Sequence, residues 1–130
     1  MTRNILCVDD NPGMREILIG FISRWGYNIE CASNVAEAVE MFEALNPFLV
    51  ITDLKLQNHV DGATLADRLH RKDPLCIFIA ITGLVDAFDL GYLLGAVFTD
   101  VLNKPVRPDI LRRVIDYALE KRQRWEQLLI

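Results

Sequence analysis

Five polar residues of this chain each stand just behind an apolar segment, and together their types suggest one piece of chemistry. Asp9 and Asp10 follow NILCV, Asp53 follows FLVIT, Thr82 follows LCIFIAI, and Lys104 comes after the segment 97–102. Two adjacent carboxylates at the end of a buried strand repel each other, and a third converging on them adds to the cost unless a cation lies between. An all-oxygen ligand set with room for water suits Mg2+ better than zinc, and the chain offers no Cys/His cluster to argue otherwise. Lys104 adds a second positive charge and Thr82 a hydroxyl donor. Carboxylate, divalent metal, lysine and hydroxyl make a phosphoryl site. In it Asp53 is the nucleophile, while the metal and Lys104 neutralise charge on the phosphoryl oxygens.

That chemistry requires all five residues on one edge of the molecule. Asn4–Val8 reads as a first strand, followed by a helix from Pro12 to about Trp25 with Met14, Leu18, Phe21 and Ile22 at helical spacing. Pro12 suits the first turn of that helix, and Gly26 the position past its end. Tyr27–Ala32 is a second strand, and Asn34 caps a helix whose stripe is Val35, Ala38, Val39, Phe42 and Leu45, ended by Asn46-Pro47. Phe48–Thr52 and Leu75–Ile81 are almost wholly apolar, the pattern of strands covered on both faces. Helices over Gly62–Arg71 and Leu84–Ala96, a strand at Val97–Leu102 and a long helix from Pro108 complete the series. Successive βα units predict an α/β fold: a doubly wound parallel sheet with right-handed crossovers and helices on both faces. Sites in such sheets gather at the carboxyl ends of the strands, where these five residues fall.

Here the chain resembles a known family. "VDDN" after the first strand, "VITDL" at the third, "AITG" at the fourth and "NKP" after the fifth resemble the CheY-like receiver domains of two-component response regulators, over roughly residues 3 to 119. The resemblance implies a five-stranded sheet in the order 2-1-3-4-5 with five helices, a flavodoxin-like three-layer sandwich. It implies that Asp53 accepts a phosphoryl group from a phosphohistidine of a sensor histidine kinase or phosphotransfer protein. Asp10 would ligate Mg2+ directly, Asp9 directly or through water, with Asp53 and the backbone carbonyl of Lys55 as further ligands. Thr82 would hydrogen-bond the phosphoryl group and draw its loop inward, and Lys104 would pair with the phosphoryl oxygens across a cis bond to Pro105. Such a domain promotes its own phosphorylation and dephosphorylation and turns over no separate substrate.

The chain departs from the family pattern in places. The aromatic residue usual three positions before the lysine is Val101 here, which cannot stack or swing, and Phe98 falls on the opposite face of a regular strand. The loop after Asp53 carries Gln57 where proline is common, and "QNHVDG" holds one extra residue before Asp61-Gly62. Lys55 and Leu84 stand where the family tunes phosphoryl lifetime. Two other readings compete. One is a pseudo-receiver that keeps the fold as an interaction module without phosphotransfer, which Val101 and the altered loop favour. The other is a haloacid dehalogenase-type enzyme, whose paired aspartates stand two residues apart, whereas Asp9 and Asp10 are adjacent, and whose cap domain 130 residues cannot hold.

Composition narrows the rest. With 52% hydrophobic and 25% charged residues the chain reads as a single folded domain, without a bilayer-length apolar run or a secretory signal, and a cytoplasmic location is expected. A net charge of −4 argues against a nucleic-acid surface, and KRQR at 121–124 reads as the solvated face of the last helix. Cys7, Cys31 and Cys76 read as buried structural thiols, Arg15 as a surface residue, His70 as a solvated helix residue, and His59, in the loop after Asp53, as bland although within reach of the site. The last helix, running from Pro108 to Leu129 at ~1.5 Å per residue, outruns a strand of ~17–20 Å. Residues 1–119 are therefore assigned to the receiver domain and 120–130 to an overhanging helix end. That end, with Trp125, Leu128 and Leu129, is read as a linker to an output domain or as a homodimer surface, alternatively to the apolar Leu90–Leu94 face.

Overall fold

The computed structural model describes residues 3–56, 62–83, 87–95 and 97–129. Strands and helices alternate along them: β1 (Asn4–Val8), α1 (Pro12–Arg24), β2 (Asn28–Ala32), α2 (Val35–Leu45), β3 (Leu49–Asp53), α3 (Gly62–Lys72), β4 (Ile77–Thr82), α4 (Ala87–Gly95), β5 (Phe98–Asn103) and α5 (Pro108–Gln127). The strands form one parallel sheet in the order β2-β1-β3-β4-β5. This is the doubly wound α/β architecture that the sequence predicts.

Alternation along each strand explains the layers. Ile5 and Cys7 of β1, Ile51 of β3, and Ile77, Ile79 and Ile81 of β4 enter the layer beneath α1 and α5, among Leu18, Ile22, Leu111 and Ile115. Leu6, Val8, Val50, Phe78 and Ala80 point the other way, toward Phe42 of α2, Leu65 and Leu69 of α3 and Leu93 of α4. Successive strand side chains take opposite faces, so an unbroken apolar strand must be covered on both. Ile79 is fully buried, and truncating it to alanine would cost roughly 2–5 kcal/mol.

Capping fixes where the helices begin. The Asn11 side chain accepts the Met14 N–H at 3.0 Å, and Pro12 takes the first turn of α1. Asn34 accepts the Glu37 N–H at 2.9 Å, while Glu37 reaches back to the Ser33 N–H at 2.8 Å. The Asn11 cap on one side and the Asp9 N–H held by Ala32 O on the other fix the β1–α1 connection that carries the acidic pair, while the bonds of Ser33, Asn34 and Glu37 fix the β2–α2 connection.

Several expectations need correction. β5 is not regular: Phe98 pairs with Phe78, yet Asp100 pairs with Ile79, so one extra residue bulges out. The bulge brings Phe98 and Val101 to the same face, both in the layer of α2, α3 and α4, where regular spacing would have separated them. The tail is not a free overhang. Trp125 packs back on the α1/α5 layer, and Arg122 lies 3.2 Å from Asp73 in the turn before β4 and 2.7 Å from Glu126. Arg122 is thus not part of a solvated face, although Leu128 and Leu129 are exposed. α5 is one continuous helix over Pro108–Gln127, as the sequence predicts. His70 is half-buried and meets the Phe78 ring edge-on. Cys7 and Cys76 are buried, but Cys31 is partly exposed. The loop with Gln57, His59 and Asp61, together with Leu84 and Ala96, lies outside the described residues.

Candidate functional site

The carboxyl edge of the sheet brings the sequence-selected residues together. Asp9 and Asp10 leave β1 as the chain turns into α1, Asp53 ends β3, Thr82 ends β4, and Lys104 follows β5 directly. Carboxylate oxygens of Asp9, Asp10 and Asp53 lie within 4.8 Å of one another. Like charges at that distance repel by roughly 3–4 kcal/mol per pair at an effective dielectric of about 20. Three oxygen donors so close fit a hard divalent cation better than they fit each other.

Each acid is positioned by its own element. Asp9 is almost wholly buried; its Oδ1 accepts the Asn11 N–H at 2.9 Å and its backbone N–H donates to Ala32 O at 3.1 Å. Asp53 Oδ1 accepts the Lys55 N–H at 3.2 Å, and the Thr52 hydroxyl donates to the Asp53 carbonyl at 2.8 Å. Lys104 Nζ lies 2.9 Å from Asp53 Oδ2 and 3.3 Å from Asp9 Oδ2. The Lys104 backbone N–H donates to Thr82 O at 2.7 Å, which fastens the ends of β4 and β5 together. The Lys104-Pro105 bond is cis, as the resemblance implies. Partial burial works against the Lys104 ammonium ion. The hydrogen bond that Lys104 donates to Asp53 and the charges of Asp9 and Asp53 outweigh it, so its pKa is raised.

Beside these groups opens a cleft of about 500 Å³ whose lining includes Asp53, Lys55, Thr82, Asp89, Tyr92 and Lys104. A carboxylate, a lysine and a threonine thus face one space large enough for a phosphoryl group.

Sequence reasoning missed three contributors. Arg15 is half-buried, and its guanidinium donates to the Asp9 carbonyl at 2.8 Å, bracing the acid-bearing turn. Its position one turn into α1 was the available signal, because helix side chains lean toward the N-terminus. Gly62 opens α3 with its N–H donating to Leu54 O at 2.8 Å, and a Cβ there would lie 2.0 Å from the Asp53 carbonyl oxygen. The Asp-Gly pair before an amphipathic run was its signal. Tyr92, assigned from sequence to an outward face of α4, also lines the cleft.

Comparison with known proteins agrees with this geometry. The family model for the response regulator receiver domain matches residues 5–116. The chain is 35% identical over 115 residues to the transcriptional regulatory protein AruR of Pseudomonas aeruginosa, covering 83% of this chain and 46% of AruR. It is 32% identical over 119 residues to an uncharacterized 14.6 kDa protein of Leptolyngbya boryana, covering 89% of this chain and 90% of that one. A receiver domain (CheY-like) structure from Methanospirillum hungatei superposes with a TM-score of 0.84 at 25% identity, over 95% of this chain and 99% of that one. Other curated relatives are longer, and the chain spans 13% to 53% of their lengths. Among the described residues no helix is long and apolar enough to cross a membrane.

Proposed function

The chain belongs to the response regulator receiver domain family, and on that premise we propose that it is a phosphoacceptor switch. Asp53 takes a phosphoryl group from a phosphohistidine on a sensor histidine kinase or phosphotransfer protein, and the altered site changes the surface offered to partners. The observation that carries this reading is the convergence of Asp53, Lys104 and Thr82 on one cleft, beside three carboxylates within 4.8 Å.

In this reading an Asp53 oxygen attacks phosphorus, forming an O–P bond while the P–N bond to the donor histidine breaks. Lys104, already 2.9 Å from Asp53, moves its charge onto the incoming phosphoryl oxygens, and Thr82 donates its hydroxyl to one of them. Asp9, Asp10, Asp53 and the Lys55 carbonyl would hold Mg2+, which when bound supplies positive charge to the transferring group. Arg15 and Asn11 keep Asp9 oriented for that task. The domain promotes its own phosphorylation and dephosphorylation and has no separate substrate.

The partner side of the proposal rests on exposure. With Trp125 folded back, the exposed apolar residues Leu90, Tyr92 and Leu94 of α4 favour that helix over the tail as a docking or homodimer face. The lengths of the relatives favour an output domain in a longer parent chain, and the location proposed with it is the cytoplasm. A pseudo-receiver without phosphotransfer is favoured by one observation, Val101 packed against the core in place of an aromatic switch.

Incubation with Mg2+ and acetyl phosphate, followed by intact-mass measurement, separates the two. The phosphoacceptor gains one phosphoryl mass, and Asp53→Asn gains none. An unmodified wild type at saturating donor assigns the chain to the pseudo-receivers.

A further inference from the structure

The parallel register of β1 and β2 sets Cys7 directly opposite Cys31. Adjacent strands run ~4.8 Å apart, which lies inside the ~4.4–6.8 Å span of Cα atoms joined by a disulfide. Both side chains enter the same layer: Cys7 belongs to the core beneath α1 and α5, and Cys31 packs against it. Their exposures differ. Cys7 is sealed at 0% exposure, whereas Cys31 sits part-exposed on β2, the edge strand of the sheet. A solute therefore reaches Cys31 before Cys7. Cys76 stands apart in the opposite layer.

We propose that Cys7 and Cys31 are a redox-active dithiol that a small hydroperoxide converts to an intramolecular disulfide. The Cys31 sulfur attacks one peroxide oxygen, the O–O bond breaks, and Cys31 becomes a sulfenic acid as the other oxygen leaves with a proton. The Cys7 sulfur then attacks the Cys31 sulfur, the S–O bond breaks, and the departing hydroxide takes the Cys7 proton and leaves as water. One peroxide is reduced and two thiols are oxidised, so the step balances. The new bond ties the edge strand to β1 two residues before Asp9, whose N–H is held by Ala32 O on β2 at 3.1 Å. Oxidation therefore acts on the strand pair that positions the acidic cluster.

The proposal stands independently of phosphotransfer, because mass reads the thiols whatever Asp53 does. The full chain is exposed to graded hydrogen peroxide, denatured in an alkylating reagent and mapped by peptide mass. The expected result is a linked Cys7–Cys31 peptide with Cys76 still alkylated, reversed by dithiothreitol. Cys31→Ser, on the edge strand, keeps Cys7 alkylatable, and Cys7→Ser leaves Cys31 trapped by dimedone as a sulfenic acid. Passage of Cys31 to sulfinic acid with Cys7 still a thiol overturns the proposal. So does a Cys31 bridge between two chains, or full alkylation of all three cysteines after peroxide.

Discussion

Lys104 Nζ sits 2.9 Å from Oδ2 of Asp53, and the same ammonium ion reaches Asp9 at 3.3 Å. One lysine therefore holds two of three clustered carboxylates together when no metal does. Lys104→Met removes that charge from a site in which Asp9 is almost fully buried and Lys104 about a third exposed. The metal-free protein is expected to lose about 1–2 kcal/mol, between the surface and buried limits for ion pairs. Added Mg2+ should then raise the melting temperature of the variant more than that of the wild type, because it relieves more repulsion. An equal Mg2+ shift in both proteins would show that Lys104 does not offset the acids.

Asp10 shares the cluster, but the ion pairs of Lys104 are with Asp9 and Asp53. Removing its charge relieves repulsion without breaking a bridge. Asp10→Ala is expected to stabilise the protein in EDTA by roughly 1 kcal/mol and to lose the stabilisation that Mg2+ gives the wild type. Thermal melts with and without Mg2+ decide this: an equal gain from Mg2+ in both proteins removes Asp10 from the ligand set.

The strand-end acids, Thr82 and Lys104 were legible because a parallel sheet sends every strand end to one edge, so a list of residues becomes a place. That β3 and β4 lie between two layers was also legible, because Phe48–Thr52 and Leu75–Ile81 are almost wholly apolar. The β5 bulge was not. One extra residue between Phe98 and Asp100 leaves no mark in an apolar-polar pattern that reads FTDVLN either way, yet it reverses the face of Phe98 relative to Val101. The sequence left open whether Trp125 overhangs or folds back, because helix length alone ignores how α5 lies against its neighbours, and the Arg122–Asp73 pair joins residues 49 positions apart. The Cys7–Cys31 pairing depends on strand register, which no spacing between those cysteines encodes.

Gly62 is the test of how Asp53 is held. A methyl group there would meet the Asp53 carbonyl oxygen at 2.0 Å, and the obstacle is backbone, so the start of α3 or the end of β3 must move. Gly62→Ala is expected to cost about 2–4 kcal/mol and to slow labelling by acetyl phosphate. Gly20 provides the contrast: it lies within α1 with nothing within 4 Å of its Cβ position. Gly20→Ala should stabilise by ~0.5–1 kcal/mol through helix propensity and leave labelling unchanged. Urea denaturation and labelling rates of the two variants check both halves. A Gly62→Ala protein as stable and as fast as wild type would mean that the close approach is not required.

Tyr27 links the far edge of the molecule to alkaline stability. Its hydroxyl donates to Asp116 Oδ1 at 2.5 Å, and the ring packs in the α1/α5 layer beneath the Arg3 guanidinium. Burial first, then the hydrogen bond to Asp116 and the charge of Asp116, raise the Tyr27 pKa, against smaller pulls from Arg3 and Arg112. A tyrosine loses its proton to become an anion, so the folded state holds this proton more tightly than the unfolded chain does. The stabilisation is therefore fully present below the ordinary value of 10.0 and is lost as pH climbs through the raised folded value. Tyr27→Phe is expected to cost about 1 kcal/mol at neutral pH, below the usual ~1.5–3 kcal/mol for a bond to a charged acceptor, because the freed Asp116 carboxylate is exposed to water. Above pH ~10 the gap should close, since only the wild type then carries the penalty of a phenol that cannot ionise in place. Lys104 also titrates in that range, but it is common to both proteins and cancels in the comparison. Denaturation of the two proteins across the alkaline range measures the gap, and a gap independent of pH would show that Tyr27 is not the titrating group.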